Sequence, residues 1–509
     1  MRIPSLVGIV VGMTFALSSS AGADDGPPGS VSSIAEEARV LHLLNRATFG
    51  PTADLVDEVH RVGRNAWVTE QVFPQNTADP ELEEKLSIYP ALTMSASELL
   101  ENYPNQRKAQ MGIGRPGRVP VEVASANLTR AVHAKAQLQE VLTDFWFNHF
   151  NIASQDGPIR HAVVSYVRDA IRPNVLGYFE DLLRATAESV AMLYYLDNYV
   201  SSAPGSRGPN SGINENYARE LLELHTLGVD GGYTQDDVVE VARAFTGWTI
   251  SPRRSGVVEF IFVPRLHDPG DKTVLGQTIR SGGQSEGLEI LHMLATHPST
   301  AEFLSRKLLQ RFVADDPPQS FVDKTANVYL TTGGHIGWTI MSILTNPEFY
   351  RAKYQGNKAK TPLELVASAL RVIGGDVSLG VSASQLVGDL GQPMLRAEPP
   401  TGWPETSAQI LSPGGMVTRF EFGYLATSNR IEGYGSTRHF GNQSSTSGAP
   451  MASRSFFSEN CPLKPRVKRL RRRAPKEQPR NCWPPWCSAA PSSSCSRKET
   501  DDVRSKNEP

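Results

Sequence analysis

Residues 214–248 read NENYARELLELHTLGVDGGYTQDDVVEVARAFTGW and hold two helical patterns on either side of a glycine-rich corner. In the first pattern, polar side chains that include Glu220 and Glu223 share one helical arc, and the leucines occupy the opposite arc. In the second pattern, Thr234 offers an N-cap hydroxyl and Asp237 follows three residues later. The stretch therefore predicts two amphipathic helices joined by a corner, which form the central packing unit of the fold.

Helical periodicity continues along most of the chain. The 509 residues are enough for one large domain or for several domains of average size. Apolar residues recur at helical spacing and predict a single large, irregular, multi-helical domain over 34–434. Two runs rich in β-branched and aromatic residues lie on either side of a polar corner near 267–272. We therefore predict a mainly α fold with a short β-hairpin near 257–279.

The N-terminus has the pattern of an export signal. Arg2 precedes an apolar run that ends at Leu17, and an Ala-Gly-Ala triplet ending at residue 23 matches a signal-peptidase site. The apolar run is too short to span a bilayer, which argues against a membrane anchor. We predict a cleaved signal peptide at 1–23, a linker at 24–33, and export to the periplasm, the cell surface or the medium.

Charge and motif content exclude several classes of function. The formal net charge is −2, so the chain as a whole gives no electrostatic reason to bind nucleic acid or an anionic membrane. The sequence contains no serine nucleophile elbow, no phosphate-binding glycine loop and no His-Glu-x-x-His motif. The commonest hydrolase and nucleotide-binding classes are therefore not indicated.

Six runs of the sequence share the pattern of one large bacterial family. They are HLLNRATFGPT from His42, FWFNHF from Phe145, residues 214–248, HDPGDKTVLG from His267, RKLLQRFVADDPP from Arg306 and GQPMLRAEPPTGWPE from Gly391. Together they resemble the bacterial domain-of-unknown-function family eighteen hundred (DUF 1800) over about residues 38–432. The resemblance implies an exported, mostly helical protein of unassigned biochemistry, and it carries over no catalytic residues. It also implies an exported sulfatase-like or phosphatase-like neighbour as a partner, and an envelope polymer is the other partner we expect for a binding protein.

The last part of the sequence departs from this pattern. After about Tyr434 the apolar periodicity stops, and all four cysteines of the chain fall between Cys461 and Cys495. A basic interaction tail, a disulfide or metal knuckle, and translation in a shifted frame are the alternatives for 435–509. The abrupt loss of a core-forming pattern favours a shifted frame, and a disordered tail accounts for the basic run.

Polar residues at three places suggest candidate chemistry. The candidate catalytic residues are His149, Glu220, Glu223, His267 and Asp268, and the candidate metal ligands are His149, Glu223, His225 and His267. Inward-facing glutamate and histidine side chains build metal sites in helical bundles, so a divalent metal is the possible cofactor.

Ordinary structural roles compete with these assignments. His225 follows Glu223 by two residues and so projects to the other side of its helix, and an isolated histidine on an apolar face is usually a core residue. Glu220 and Glu223 suit an exposed polar arc. His149 is a better candidate than His225 because polar residues, Asp144 and Asn148 among them, cluster near the end of its helix. Core packing below Trp146 and Phe145 is nevertheless the favoured role for His149. The corner at His267 also needs its Asp-Pro-Gly residues simply to turn.

Two functions remain open from the sequence. The first is an envelope-associated binding or scaffold protein, since the chain is rich in structural pattern and poor in recognisable catalytic sets. The alternative is a metal-dependent envelope enzyme that uses a histidine and carboxylate site. The distances among His149, Glu223, His225 and His267 discriminate between them, because an enzyme of this kind requires these groups to converge.

Overall fold

The computed structural model describes residues 31–104, 115–251, 258–376, 380–428 and 435–436. The predicted signal peptide at 1–23 lies outside the described residues, as does the predicted linker up to residue 30. The predicted tail also lies outside them, except for the pair 435–436.

Helices dominate the described residues and confirm the mainly α prediction. In the first half of the chain the α-helices are α1 (Val31–Ala47), α2 (Ala53–Val62), α3 (Arg64–Val72), α4 (Pro80–Leu86), α5 (Ala96–Asn102), α6 (Arg118–His133), α7 (Gln137–His149), α8 (Ile159–Ser165), α9 (Phe179–Ala187), α10 (Val190–Tyr195), α11 (Asn216–Glu220) and α12 (Gln235–Ala244). In the second half they are α13 (Gln284–Ala295), α14 (Pro298–Phe312), α15 (Gln319–Thr331), α16 (Ile336–Leu344), α17 (Pro362–Ile373), α18 (Gly380–Asp389), α19 (Ser407–Ile410) and α20 (Pro413–Thr427). No helix in the described part of the chain is long and apolar enough to cross a membrane.

Shorter helical segments connect these elements. The π-helical segments are Tyr166–Ile171 and Leu221–Thr226. The 3-10 turns are Pro90–Thr93, Arg172–Asn174, Asn198–Val200, Pro264–Leu266 and Ala352–Tyr354.

The strands form antiparallel pairs. They are β1 (Trp248–Ile250) with β2 (Phe260–Phe262), β3 (Lys272–Val274) with β4 (Gln277–Ile279), and β5 (Gly375–Asp376) with β6 (Gly435–Ser436). The predicted hairpin near 257–279 is confirmed at β3 and β4, whose turn contains Gly276 at φ 76°. The two apolar runs do not pair with each other. β2, which lies in the first run, pairs instead with β1, and β1 begins immediately after Gly247.

The region of residues 214–248 forms the helix, corner and helix that its pattern predicts. Thr234 and Asp237 make the reciprocal capping box at the start of α12. Trp248 is fully buried. The first helix departs from regular α geometry after Glu220, because the Leu227 N–H donates to the carbonyl oxygen of Leu222, five residues earlier. The leucines nevertheless stay in the core.

One large hydrophobic cluster extends from α1 to α20. α7 runs through it, and Phe145, Trp146 and Phe150 at its end are essentially inaccessible. The rings of Trp146 and Phe179 lie 5.6 Å apart, which ties α7 to α9. The aromatic run at the end of α7 therefore serves as core packing, while the polar residues Asp144 and Asn148 lie on another side of the same helix, beside a cleft.

Candidate functional site

A cleft opens between α7, the end of α14, the start of α17 and the loop that precedes α19. We call it the charged cleft, and define it by Glu140, Asp144, Asn148, Arg172, Arg311, Lys358, Glu364, Trp403 and Glu405. The centre of a water molecule can occupy about 80 Å³ of it. One water needs roughly 10–15 Å³ measured in this way, so the cleft has room for several waters or for one small ligand.

Asp144 is the one carboxyl of the charged cleft that makes no hydrogen bond with any described residue. It lies on α7, part-buried, and it lines the cleft. Burial raises the pKa of Asp144 to about 7; the nearby Glu364 and Glu405 act in the same direction, and Arg311 opposes them. An aspartate with such a pKa changes its charge near neutral pH, which is common for groups that bind or transfer protons.

Arg311 and Glu364 form a buried ion pair beside Asp144. Arg311 Nη1 lies 2.5 Å from Glu364 Oε1, and both side chains are less than a tenth exposed. Glu364 Oε2 also accepts the backbone N–H of Thr361, which starts α17 with a capping box. Burial on its own raises the pKa of Glu364, but Arg311, this N–H and Arg46 together hold it below its usual value. Glu364 is therefore a fixed anion of the cleft wall.

Two further ion pairs lie in the wall of the charged cleft. Arg172, in the turn after the first π-helical segment, pairs with Glu140 of α7. Lys358 pairs with Asp315 at 2.8 Å, and Asp315 also accepts the N–H of Ser407. These contacts place cations from three separate parts of the chain around the free carboxyl of Asp144.

Asn148 forms hydrogen bonds with the loop around Trp403, which makes the remaining wall of the charged cleft. Its Nδ2 donates to the carbonyl oxygen of Trp403 and to Glu405 Oε1, and its Oδ1 accepts the N–H of Trp403 at 2.7 Å. Gly402 has φ 72°, and a Cβ added there would lie 2.4 Å from two oxygens of Asn148. The loop can approach α7 this closely only because residue 402 is glycine.

Of the sequence-predicted residues, His149 and His225 come together. Their ring centroids lie 6.0 Å apart, and His149 Nε2 is 3.1 Å from the carbonyl oxygen of His225. Burial first, and then Lys307, lowers the pKa of both; that of His225 falls to about 3. Both imidazoles are neutral at physiological pH and lie among aromatic side chains, as the core interpretation of the sequence expects.

His267 and Asp268 lie elsewhere, beside the β3–β4 hairpin. His267 Nε2 is 3.0 Å from Glu286 Oε1, and the fully buried Lys272 forms an ion pair with the same carboxylate. Asp268 receives two hydrogen bonds from Arg243. We call Lys272, Glu286, His267, Asp268 and Arg243 the hairpin cluster. Its carboxylates are already paired with cations.

Glu220 and Glu223 belong neither to the charged cleft nor to the hairpin cluster. Both are part-buried on the segment from Asn216 to Thr226, and burial followed by the charge of Glu223 raises the pKa of Glu220. Across the described ranges, no three histidine, cysteine, aspartate or glutamate side chains form a group that could hold a metal ion. The four candidate ligands are thus distributed over separate places, apart from the His149–His225 contact.

Sequence reasoning missed most of the charged cleft. It named Asp144 and Asn148 only as companions of His149, and it did not name Arg311, Glu364 or Glu405 as site residues. One signal was available: Arg311 interrupts the buried stripe of Leu308, Leu309 and Phe312. A charged residue at a core position of an amphipathic helix needs a buried partner, although periodicity does not identify that partner.

The runs that carry the family resemblance supply much of the cleft. Phe49, Asn148, Arg311 and Trp403 each come from a different one of them, and all four line it. Neither a curated protein nor a solved structure matches the chain. The family model described as "Protein of unknown function (DUF1800)" matches residues 42–480, which extends beyond the end near residue 432 that the motifs indicate. The chain belongs to the DUF1800 family.

Proposed function

We propose that this protein is an exported, envelope-associated binding protein that holds a small polar ligand in the charged cleft. The observation that carries the proposal is the Asp144 carboxyl, which lines the cleft without a hydrogen-bonding partner among the described residues. A part-buried carboxyl that lines a cleft, lacks a protein partner and has a raised pKa is a candidate for a binding site.

The composition of the wall supports a polar ligand. Ligand sites combine a concave shape with a few convergent polar groups, and here cations, carboxylates and amides meet beside an indole ring. The walls come from segments far apart in sequence, including α7, α14 and the loop around Trp403. This arrangement resembles a binding site more than a surface ion-pair network, because most of its charged side chains are buried.

Thermal unfolding of the purified protein with a panel of small sugars tests the binding role. The panel contains a neutral, an anionic and a cationic member: glucose, glucuronate and glucosamine. A bound ligand at about 100 times its dissociation constant adds about 2.7 kcal/mol, which raises the melting temperature by roughly 3–5 °C. Glu405→Gln in the cleft should change the shift, and Glu223→Gln, outside it, should not. If no member changes the melting temperature, the binding role is wrong.

Export is supported by the signal-peptide pattern and is tested separately. The mature protein, isolated from the envelope or medium of cells that express the full chain, should begin at Asp24. N-terminal sequencing and an intact mass establish this directly. Recovery of the protein only in the cytoplasm, with Met1 retained, would contradict export and leave the cleft proposal untouched.

A further inference from the structure

We infer that the charged cleft binds a small carboxylate that carries hydroxyl groups, with arginine donors holding the carboxylate and Asp144 sharing a proton with it. This inference rests on the proposed binding function and specifies the chemistry of its ligand. Three features carry it: unpaired guanidinium donors, the unpaired carboxyl, and the polar, sugar-sized space beside them.

The arginine donors are the first feature. Arg311 is 6% exposed and uses Nη1 for its ion pair with Glu364, while its Nη2 is buried and makes no hydrogen bond with any described residue. Arg172 shows the same division, since one nitrogen pairs with Glu140 and its buried Nη2 is unpaired. Leaving a buried donor without an acceptor is unfavourable, so an oxygen acceptor is strongly preferred there. Guanidinium groups are well matched to carboxylates.

The proton is the second feature. Charged groups from several elements surround Asp144: Arg311 from α14, Glu364 from α17, Glu405 and Lys358 from loops, Arg172, and Glu140 on its own helix. Glu140 and Glu364 are already paired with arginines. Glu405 accepts a hydrogen bond from Asn148, so a ligand carboxylate would meet Asp144 as the one acid of the cleft without a hydrogen-bonding partner among the described residues. Two carboxylates in such a space do not both ionise, and one proton shared between them removes the repulsion.

Hydroxyl groups on the ligand follow from the third feature. Amide and hydroxyl side chains also line the cleft, including Asn127, Thr143 and Asn151, and the indole of Trp403 lies beside them. Asn151 donates both of its amide hydrogens to backbone carbonyls, so its side-chain oxygen is available as an acceptor. The space for several waters matches one sugar-sized unit. A sugar acid combines these requirements.

Proton uptake on binding makes the affinity depend on pH in a predictable direction. Burial places the pKa of Asp144 at about 7 in the free protein, and a bound carboxylate raises that pKa further. Below pH 6 the aspartate is protonated before and after binding, so affinity is independent of pH there. Above pH 7 each binding event takes up close to one proton, and the affinity falls about tenfold per pH unit.

Isothermal titration calorimetry with D-glucuronate tests the inference on the full exported protein. Titrations at pH 6, 7.5 and 8.5 give the affinity, and titrations at pH 8.5 in EPPS and Tris, whose ionisation enthalpies differ, count the protons taken up. We expect uptake close to one proton and about a tenfold loss of affinity from pH 7.5 to 8.5. Asp144→Asn keeps the shape of the side chain and cannot ionise, so it should bind glucuronate without proton uptake and with the same affinity at all three pH values.

Controls separate failure of the inference from failure of the binding role. Glu223→Gln removes a part-buried carboxylate outside the cleft and should retain the full pH dependence of the natural protein. If glucose or glucosamine binds through the cleft and glucuronate does not, the binding role stands and the carboxylate assignment is overturned. Binding of glucuronate with no proton uptake, or loss of binding in Asp144→Asn, also overturns the assignment.

Discussion

The charged cleft and the hairpin cluster both bury ionisable side chains, yet they treat them in opposite ways. In the hairpin cluster, Glu286 accepts the N–H groups of Gly282 and Gly283, faces His267, and forms an ion pair with Lys272. These partners hold the pKa of Glu286 below its usual value although burial acts to raise it. In the charged cleft, Asp144 has no such partner and its pKa rises.

The difference distinguishes a charge that stabilises the fold, that of Glu286, from a carboxyl that is free to interact with a ligand, that of Asp144. The ion pair of Glu286 and Lys272 links the hairpin to α13, and removal of either leaves the other without its ion-pair partner inside the protein. The Asp144 charge is attracted to Arg311, but the cost of burial is larger, so its ionisation opposes folding. A part-buried carboxyl that weakens the folded state when it ionises, and that lines a cleft, is better explained by ligand binding than by packing. The following substitutions test this contrast.

Lys272→Met should have the largest effect. It removes a fully buried cation and leaves Glu286 without its ion pair, so we expect a loss of about 3–5 kcal/mol in the free energy of unfolding. Urea denaturation followed by circular dichroism measures the change. The control is Glu302→Gln, which removes an exposed pair with Arg306 and should cost less than about 1 kcal/mol. Equal costs for the two variants would contradict the structural role of the hairpin cluster.

Asp144→Asn should stabilise the protein at neutral and alkaline pH. The pKa of Asp144 is about 7 in the folded state and close to 4 in the unfolded state, so the folded state binds more protons between these values. Stability of the natural protein therefore falls as pH rises from about 4 to 7, and the asparagine variant lacks this loss. We expect a gain of about 4 kcal/mol at pH 8 and less than about 1 kcal/mol at pH 4.

Urea denaturation of both proteins at pH 4, 6 and 8 measures that difference. Asp237→Asn does not serve as a control, because its carboxylate caps α12 and its removal would cost stability. Glu223→Gln serves instead. A gain that is equal at pH 4 and pH 8 would show that the Asp144 carboxyl does not titrate in the predicted range.

Asn148→Ala should loosen one wall of the charged cleft. The substitution removes three hydrogen bonds to Trp403 and Glu405, which corresponds to about 2 kcal/mol if the loop partly recovers them with water. Trypsin should then cleave faster after Arg396, which is exposed on that loop. Gln409→Ala, at the exposed end of the same region, is the matched control and should leave the cleavage rate unchanged.

Glu223→Gln should have the smallest effect. Glu223 is part-buried and forms no ion pair with a described residue, so its replacement should change stability by less than about 0.5 kcal/mol. Thermal unfolding with and without glucuronate measures stability and binding together. A strong loss of binding would contradict the charged cleft as the binding site and would indicate a site at the helical region of residues 214–248.

Local signals explain what the sequence predicts well. The capping box of Thr234 and Asp237 depends on residues three positions apart, and the structure forms it as predicted. The apolar stripes of α13 to α17 likewise require no distant partner to be recognised, because burial of one helical face follows from spacing alone. The hairpin predicted near 257–279 is confirmed only at 272–279, because strand propensity is local while the pairing of Phe260–Phe262 with Trp248–Ile250 is not.

Long-range pairing explains what was missed. Asp144 acquires its raised pKa from burial and from neighbours more than 150 residues away, such as Arg311 and Glu364. No spacing rule connects those positions. The capping box of Glu364 was visible as a local pattern, but its ion pair with Arg311 depends on how α14 and α17 pack. The candidate site thus emerges from tertiary structure, while its separate residues look ordinary in sequence.

The π-helical segment Leu221–Thr226 has a consequence for tolerance to deletions. A π turn contains one residue more than an α turn, so deletion of one residue there can be absorbed by a return to regular α geometry. The same deletion inside α14 would rotate every later side chain by roughly 100° and turn Leu308 and Phe312 away from the core. Homologous chains that differ in length by one residue at this point should therefore keep the same fold.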